Sequence, residues 1–150
     1  MPLSLNRREA LLAGSGASLA LAAPALATPG DMTEAVRLFT GGASPRPGRV
    51  KLDLPPLVEN GNSAPLGVAV ESPMTEADHV RRIAVFNERN PQPNVLTVNL
   101  GPRSGRATLS TRIRLATSQR ITAVAEMSDG SFWSGTADVI VTLAACIEGA

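Results

Sequence analysis

Between Asp31 and Phe39 apolar residues recur at Met32, Ala35, Val36 and Phe39. That spacing lines one face of a helix, with Asp31 and Thr33 as cap candidates and Gly41-Gly42 as a stop. The pattern predicts a short amphipathic helix. Ser44-Pro45-Arg46-Pro47-Gly48 suits neither helix nor ladder and reads as a linker. From Arg49 onward the period changes to two. Val50, Leu52 and Leu54 alternate with Lys51 and Asp53; Leu66, Val68 and Val70 alternate across Gly67 and Ala69; Ile83 and Val85 continue the series. Val95 to Leu100, Ala107 to Leu115, Ile121 to Met127 and Ala137 to Leu143 repeat it, which predicts about seven strands. The clearest alternation is Ala107, Leu109, Thr111, Ile113 and Leu115, with Arg106, Arg112 and Arg114 on the opposite face.

Turn signals separate these runs: Glu59-Asn60-Gly61-Asn62, Asn90-Pro91-Gln92-Pro93, Gly101-Pro102-Arg103-Ser104-Gly105 and Ser128-Asp129-Gly130. No helical crossover lies between the strands. The expectation is an all-β fold, an immunoglobulin-like antiparallel sandwich preceded by a short helix. No internal repeat or low-complexity tract interrupts it.

The first residues follow another logic. Asn6-Arg7-Arg8-Glu9-Ala10-Leu11-Leu12 places two arginines before a mildly apolar, Gly/Ala-rich run from Ala10 to Ala23, which ends near Ala25-Leu26-Ala27. A positive start, a modest apolar stretch and an A-x-A site are the three parts of an export signal. At about 14 residues the run falls short of the roughly 20 needed to span a bilayer. The paired arginines point to the twin-arginine route, the address for proteins exported already folded. The sequence therefore divides into a removed leader over 1–27, a helix and linker over 28–48, a sandwich over 49–143 and a C-terminal arm over 144–150. The mature chain is expected in the periplasm, with no membrane contact after leader removal.

Composition narrows the function classes. The chain has 14 basic and 13 acidic residues, and 12 of each remain once Arg7, Arg8 and Glu9 leave with the leader. No charge footprint for nucleic acid is present. One Cys and one His cannot build a Cys/His zinc centre, and 13 Gly with 12 Pro favour a turn-rich fold. His79, in Thr75-Glu76-Ala77-Asp78-His79-Val80, is the one imidazole and reads as a loop-packing residue rather than a catalytic base. Glu76 and Asp78 form the one close acidic pair, in a turn. Arg81-Arg82 and the stripe at 106, 112 and 114 offer a positive face to an anion, although a solvated sheet face is the ordinary reading. Met32, Met74 and Met127 read as apolar fillers. No catalytic, cofactor-binding or metal-binding residue is assigned.

Cys146 stands apart. It lies on the short tail Ala144-Ala145-Cys146-Ile147-Glu148-Gly149-Ala150 beyond the last strand. An unpaired thiol in an oxidising compartment either pairs between molecules or is used. The alternative makes it a small apolar residue tucked with Ile147 under the sandwich edge. Glu148 and the terminal carboxylate both disfavour a thiolate, so activation would come from another protein.

Six ordered blocks resemble those of a known family: Leu52-Asp53-Leu54-Pro55, Glu59-Asn60-Gly61-Asn62, Ser72-Pro73-Met74-Thr75, Asn90-Pro91-Gln92-Pro93, Ser110-Thr111-Arg112-Ile113-Arg114-Leu115-Ala116 and Ser128-Asp129-Gly130-Ser131-Phe132. They are similar to the thiosulfate-oxidation carrier family SoxY, over roughly residues 31 to 146. The resemblance implies a periplasmic carrier, not itself an enzyme, with an immunoglobulin-like domain and no cofactor. It also implies a heterodimer with a SoxZ-like subunit, and sulfur-oxidation enzymes that load and process intermediates on a C-terminal cysteine, here Cys146. The family's arm ends Gly-Gly-Cys-Gly-Gly, whereas this chain has Ala144-Ala145 before the cysteine and Ile147-Glu148-Gly149-Ala150 after it. Those side chains thicken and restrict the arm. The alternative that follows is a diverged paralogue acting as a binding or scaffold subunit.

Overall fold

The computed structural model describes residues 28–145. The leader expected over 1–27 and Cys146 lie outside the described residues. Helix α1 spans Pro29–Thr40. Its cap is Thr28, not Asp31 or Thr33. Thr28 Oγ1 accepts from the Asp31 N–H at 3.3 Å, and the Asp31 carboxylate accepts from the Thr28 N–H at 2.7 Å, a reciprocal pair that satisfies two end donors. Asp31 therefore serves as the third helical residue, and Pro29 occupies the first turn, where a missing N–H is harmless. Gly41 ends the helix in the left-handed region at φ 63°, as its lack of a side chain permits.

Nine strands follow: β1 Arg46–Pro47, β2 Val50–Asp53, β3 Leu57–Asn60, β4 Ala64–Val70, β5 Val80–Asn87, β6 Asn94–Asn99, β7 Thr108–Ile113, β8 Gln119–Met127 and β9 Phe132–Leu143. The larger sheet runs β1-β9-β8-β5-β6, with β3 also on β9, and the smaller runs β2-β4-β7. The all-β sandwich behind a short helix is thus the architecture. Three details differ from expectation. The linker holds a two-residue strand, and Leu57–Asn60 is a strand; both pair with β9 in parallel, within an otherwise antiparallel assembly. Their ladders come from β9, so their own residues need no alternation. Likewise β9 begins at Phe132 rather than Ala137, because Ser134 and Gly135 hide its start.

Strands β5 and β8 are buried on both faces. Ile83, Val85, Ile121, Ala123, Ala125 and Met127 pack with Leu66, Val68, Ile113 and Leu115 in the core between the sheets. Ala84, Phe86 and Val124 point the other way, under Met32, Ala35, Val36 and Phe39 of the helix. The helix is a third layer, and its apolar stripe is its attachment. Phe39 meets Phe86 and Phe132 edge-on, with centroids 5.9 and 6.1 Å apart. Fully burying a ring such as Phe86 contributes about 1.5–3 kcal/mol. A Cβ on Gly135 would run into the Val50 carbonyl, so this glycine lets β2 lie close across β9.

Candidate functional site

Strand β9 carries the chain toward its carboxyl end, and β3 runs beside it with Leu57 opposite Ile140, Val58 opposite Val141 and Asn60 opposite Leu143. The tight turn Gly61–Ser63 follows β3, held by the Asn60 side chain accepting from the Asn62 N–H at 2.9 Å. Leu115 then joins the two. Its N–H donates to the Gly61 carbonyl at 2.8 Å, and its carbonyl accepts from the Ala145 N–H at 3.0 Å. Leu115 is fully buried and Ala145 is 8% exposed. Of the arm expected over 144–150, Ala145 is therefore tied to the sandwich by a buried backbone bond. Only glycine fits at 61, because a Cβ there would enter contact with both the Leu115 oxygen and the Ala145 nitrogen.

Asn90 braces this clasp from the β5–β6 loop. Its Nδ2 donates to the Arg114 carbonyl at 2.8 Å, and its Oδ1 accepts from the Ala116 N–H at 3.0 Å and from Gln119 Nε2 at 2.9 Å. One side chain thus grips the backbone on either side of Leu115. Asn90 is itself fixed by its N–H to Asn87 Oδ1, and Asn87 Nδ2 reaches the Gln92 carbonyl. Asn87 and Gln119 are buried amides, 1% and 6% exposed, and such groups are tolerated because they are bonded. Beside them lies a recess of about 360 Å³ lined by Asn87, Asn90, Pro91, Asn94 and Arg114. Three blocks far apart in sequence, around Gly61, Asn90 and Leu115, meet where the chain leaves the sandwich toward Cys146. In the sequence Asn90 and Gly61 read as turn residues and Leu115 as core, each in its own block, with no sign that the three meet.

The other chemistry-bearing residues fall elsewhere. His79 Nδ1 lies 3.0 Å from the Thr75 carbonyl and the His79 backbone N–H donates to Ser128 Oγ, so the residue closes a turn. Glu76 is exposed in that turn. Among the described residues no three His, Cys, Asp or Glu side chains gather as a metal site. Arg82 pairs with Glu126 and its guanidinium lies 4.6 Å from the Phe39 ring centre, while Arg81 reaches Glu126 at 3.5 Å. Arg82 thus ties β5 to β8 and covers Phe39 of the helix, while Arg81 stays mostly exposed. Arg106, Arg112 and Arg114 are exposed, and Arg112 donates to the Ser63 carbonyl at 3.1 Å. Met74 and Met127 belong to the inter-sheet core, and Met32 packs from the helix onto Ala84, Phe86 and Val124.

The fold and this end of it define a small helix-backed β-sandwich that anchors the root of its C-terminal segment with backbone bonds. The family model for the sulfur oxidation protein SoxY matches residues 36–146. The chain belongs to the SoxY family. Its fold is that of the sulfur carrier protein SoxY from Chlorobium limicola f thiosulfatophilum, at 23% identity over 76% of this chain and 98% of that one, with a TM-score of 0.63. The architecture also resembles the superoxide reductase (neelaredoxin) from Ignicoccus hospitalis, at 17% identity, 63% and 80% coverage and a TM-score of 0.56. A putative superoxide reductase from Thermotoga maritima is similar at 20% identity, 69% and 89% coverage and a TM-score of 0.53. At such identities the likeness is one of fold alone. No curated protein matches the sequence.

Proposed function

We propose that this protein is the sulfur carrier of a thiosulfate-oxidising system, holding intermediates covalently on Cys146 in complex with a SoxZ-like subunit. The observation that carries the reading is the family match, which runs through the sandwich and ends on Cys146, the only cysteine in the chain. The Chlorobium limicola neighbour is itself described as a sulfur carrier. Loading joins the thiol sulfur to the terminal sulfur of thiosulfate, forming an S–S bond and releasing one proton and two electrons. Water then cleaves the S–SO3 bond, leaving a persulfide on the cysteine and releasing sulfate and a proton. The first step requires an oxidising enzyme to take the electrons, and the second a hydrolase. Both belong to partner enzymes of the sulfur-oxidation system. What the sandwich contributes is a fixed point of departure, since the Gly61–Leu115–Ala145 bonds hold the residue before Cys146. The Arg7-Arg8 leader supports export to the periplasm by the twin-arginine route.

Intact-mass measurement of the protein purified from thiosulfate-grown cells tests this. A sulfur adduct that disappears in Cys146→Ser is expected; a free thiol throughout overturns the carrier reading. One observation favours a second reading, a non-carrier scaffold: Ala145 stands where the family's arm has glycine, and it is bonded and buried rather than free to swing. Under that reading a Cys146→Ser strain oxidises thiosulfate normally while a strain lacking the whole protein does not.

A further inference from the structure

We propose that Trp133, Arg46 and Arg49 form a docking surface for a carboxylate-rich segment of a partner protein. Trp133 is the only tryptophan in the chain, and it sits half-buried near the start of β9. Arg46 is its register neighbour across the β1–β9 ladder, with the guanidinium carbon 5.8 Å from the ring centre; the Arg49 guanidinium lies over the same ring at 4.9 Å. Both arginines are exposed. Among the described residues neither closes an ion pair.

The platform is built rather than incidental. The indole N–H donates to Ser131 Oγ at 3.2 Å, and that hydroxyl donates to Asp129 Oδ1 at 2.6 Å, so the ring is oriented from behind. Gly48 passes so close that its Cβ position would lie 3.6 Å from the ring. Arg49 adopts φ 56°, a left-handed conformation unusual for a residue with a side chain. Backbone strain of this kind persists where surrounding structure imposes it. The Gly48 N–H to the Ser134 carbonyl, at 3.1 Å, and the Glu71 N–H to the Arg49 carbonyl, at 2.8 Å, impose it here. The effect is to bring the Arg49 guanidinium over the indole.

A guanidinium stacked on an aromatic face keeps its edge donors free for a carboxylate and has already surrendered much of its rotamer freedom. Two of them on one ring fit an acidic segment better than a single anion. Trp and Arg are also the residues that dominate binding energy at interfaces. The cluster lies near the start of β9, whereas Ala145 follows its end; twelve residues of strand separate the two by on the order of 35 Å. A partner held here leaves the end bearing Cys146 clear. The inference stands apart from the carrier reading, because its test involves no sulfur adduct.

Because Trp133 is the sole indole, its fluorescence in the full mature chain reports this surface directly. A polyglutamate peptide titrated at low ionic strength is expected to give a saturable change that fades at 0.5 M salt. A polylysine peptide of equal length, and sodium sulfate at matched ionic strength, should give none. Arg46→Gln/Arg49→Gln should bind at least tenfold more weakly with a urea midpoint close to wild type. Arg49→Gly, which relieves the left-handed strain while removing one guanidinium, keeps the test valid if the double variant folds poorly, and it too should lose affinity. The proposal is overturned if polyglutamate gives no saturable change, if folded variants bind it as wild type does, or if sulfate or polylysine reproduces the response.

Discussion

Replacing Gly61 with alanine tests the clasp at its tightest point. The added methyl would lie within contact distance of the Leu115 carbonyl oxygen and the Ala145 nitrogen, with Val141 Cγ1 at 3.0 Å. Two of these neighbours are backbone, so no side chain can simply rotate away. Either β3's turn moves off Leu115, breaking the 2.8 Å bond to Gly61, or Ala145 moves, breaking its 3.0 Å bond to Leu115. Overpacking of a dense site costs about 1–3 kcal/mol, and each backbone bond lost adds about 1 kcal/mol net. The expected loss is about 2–4 kcal/mol, a large share of the roughly 5–15 kcal/mol that holds a domain of this kind. Urea denaturation of Gly61→Ala should show it. Gly101→Ala is the control, since nothing lies within 4 Å of its Cβ position, and it should stay within about 0.5 kcal/mol of wild type. Hydrogen exchange localises the effect. The amides of Leu115 and Ala145 should exchange about 30-fold faster for each 2 kcal/mol of local loss. Equal urea midpoints and equal amide protection in the two variants would refute the clasp.

Two further outcomes are expected. Asn90→Ala removes the partner of the Arg114 carbonyl, the Ala116 N–H and Gln119 Nε2 together; it should cost about 2–4 kcal/mol in urea denaturation, since polar groups left unsatisfied cost about 1–3 kcal/mol each before relaxation, and the Ala145 amide should lose protection as well. The Thr28 backbone N–H, then its hydroxyl, hold the Asp31 carboxyl below the usual carboxylate range. A carboxyl lowered in the folded state adds stability at neutral pH that is lost as pH falls through its folded value. Asp31→Asn should therefore have a lower urea midpoint than wild type at pH 7, and the gap should close on acidification; a gap of constant size would show that the carboxylate plays no part.

Much of the architecture was legible because alternation and helical spacing record which face each segment buries. Ile83 and Val85 in β5, the run from Ile121 to Met127 and the stripe Met32, Ala35, Val36 and Phe39 all declared themselves in this way, and all are where the pattern required. The arginines at 106, 112 and 114 read correctly as an exposed face. Arg81 is exposed as well, but Arg82 is only half-exposed, because Glu126, the acid that engages it, lies 44 residues away on a neighbouring strand. The helix cap was displaced from Asp31 to Thr28 because both residues are cap formers, and only the reciprocal bond tells which is which.

What the sequence determined by itself was the order of apolar and polar faces, the helix stop at Gly41 and the presence of one cysteine near the carboxyl end. These are local or compositional properties, written in the residues concerned. The tertiary structure alone decided that Gly61, Asn90, Leu115 and Ala145 meet, that β1 and β3 flank β9 in parallel, and that two arginines share one indole. Backbone hydrogen bonds between distant segments use atoms that every residue carries. They leave almost no mark on sequence, except where, as at Gly61, a close approach forbids a side chain.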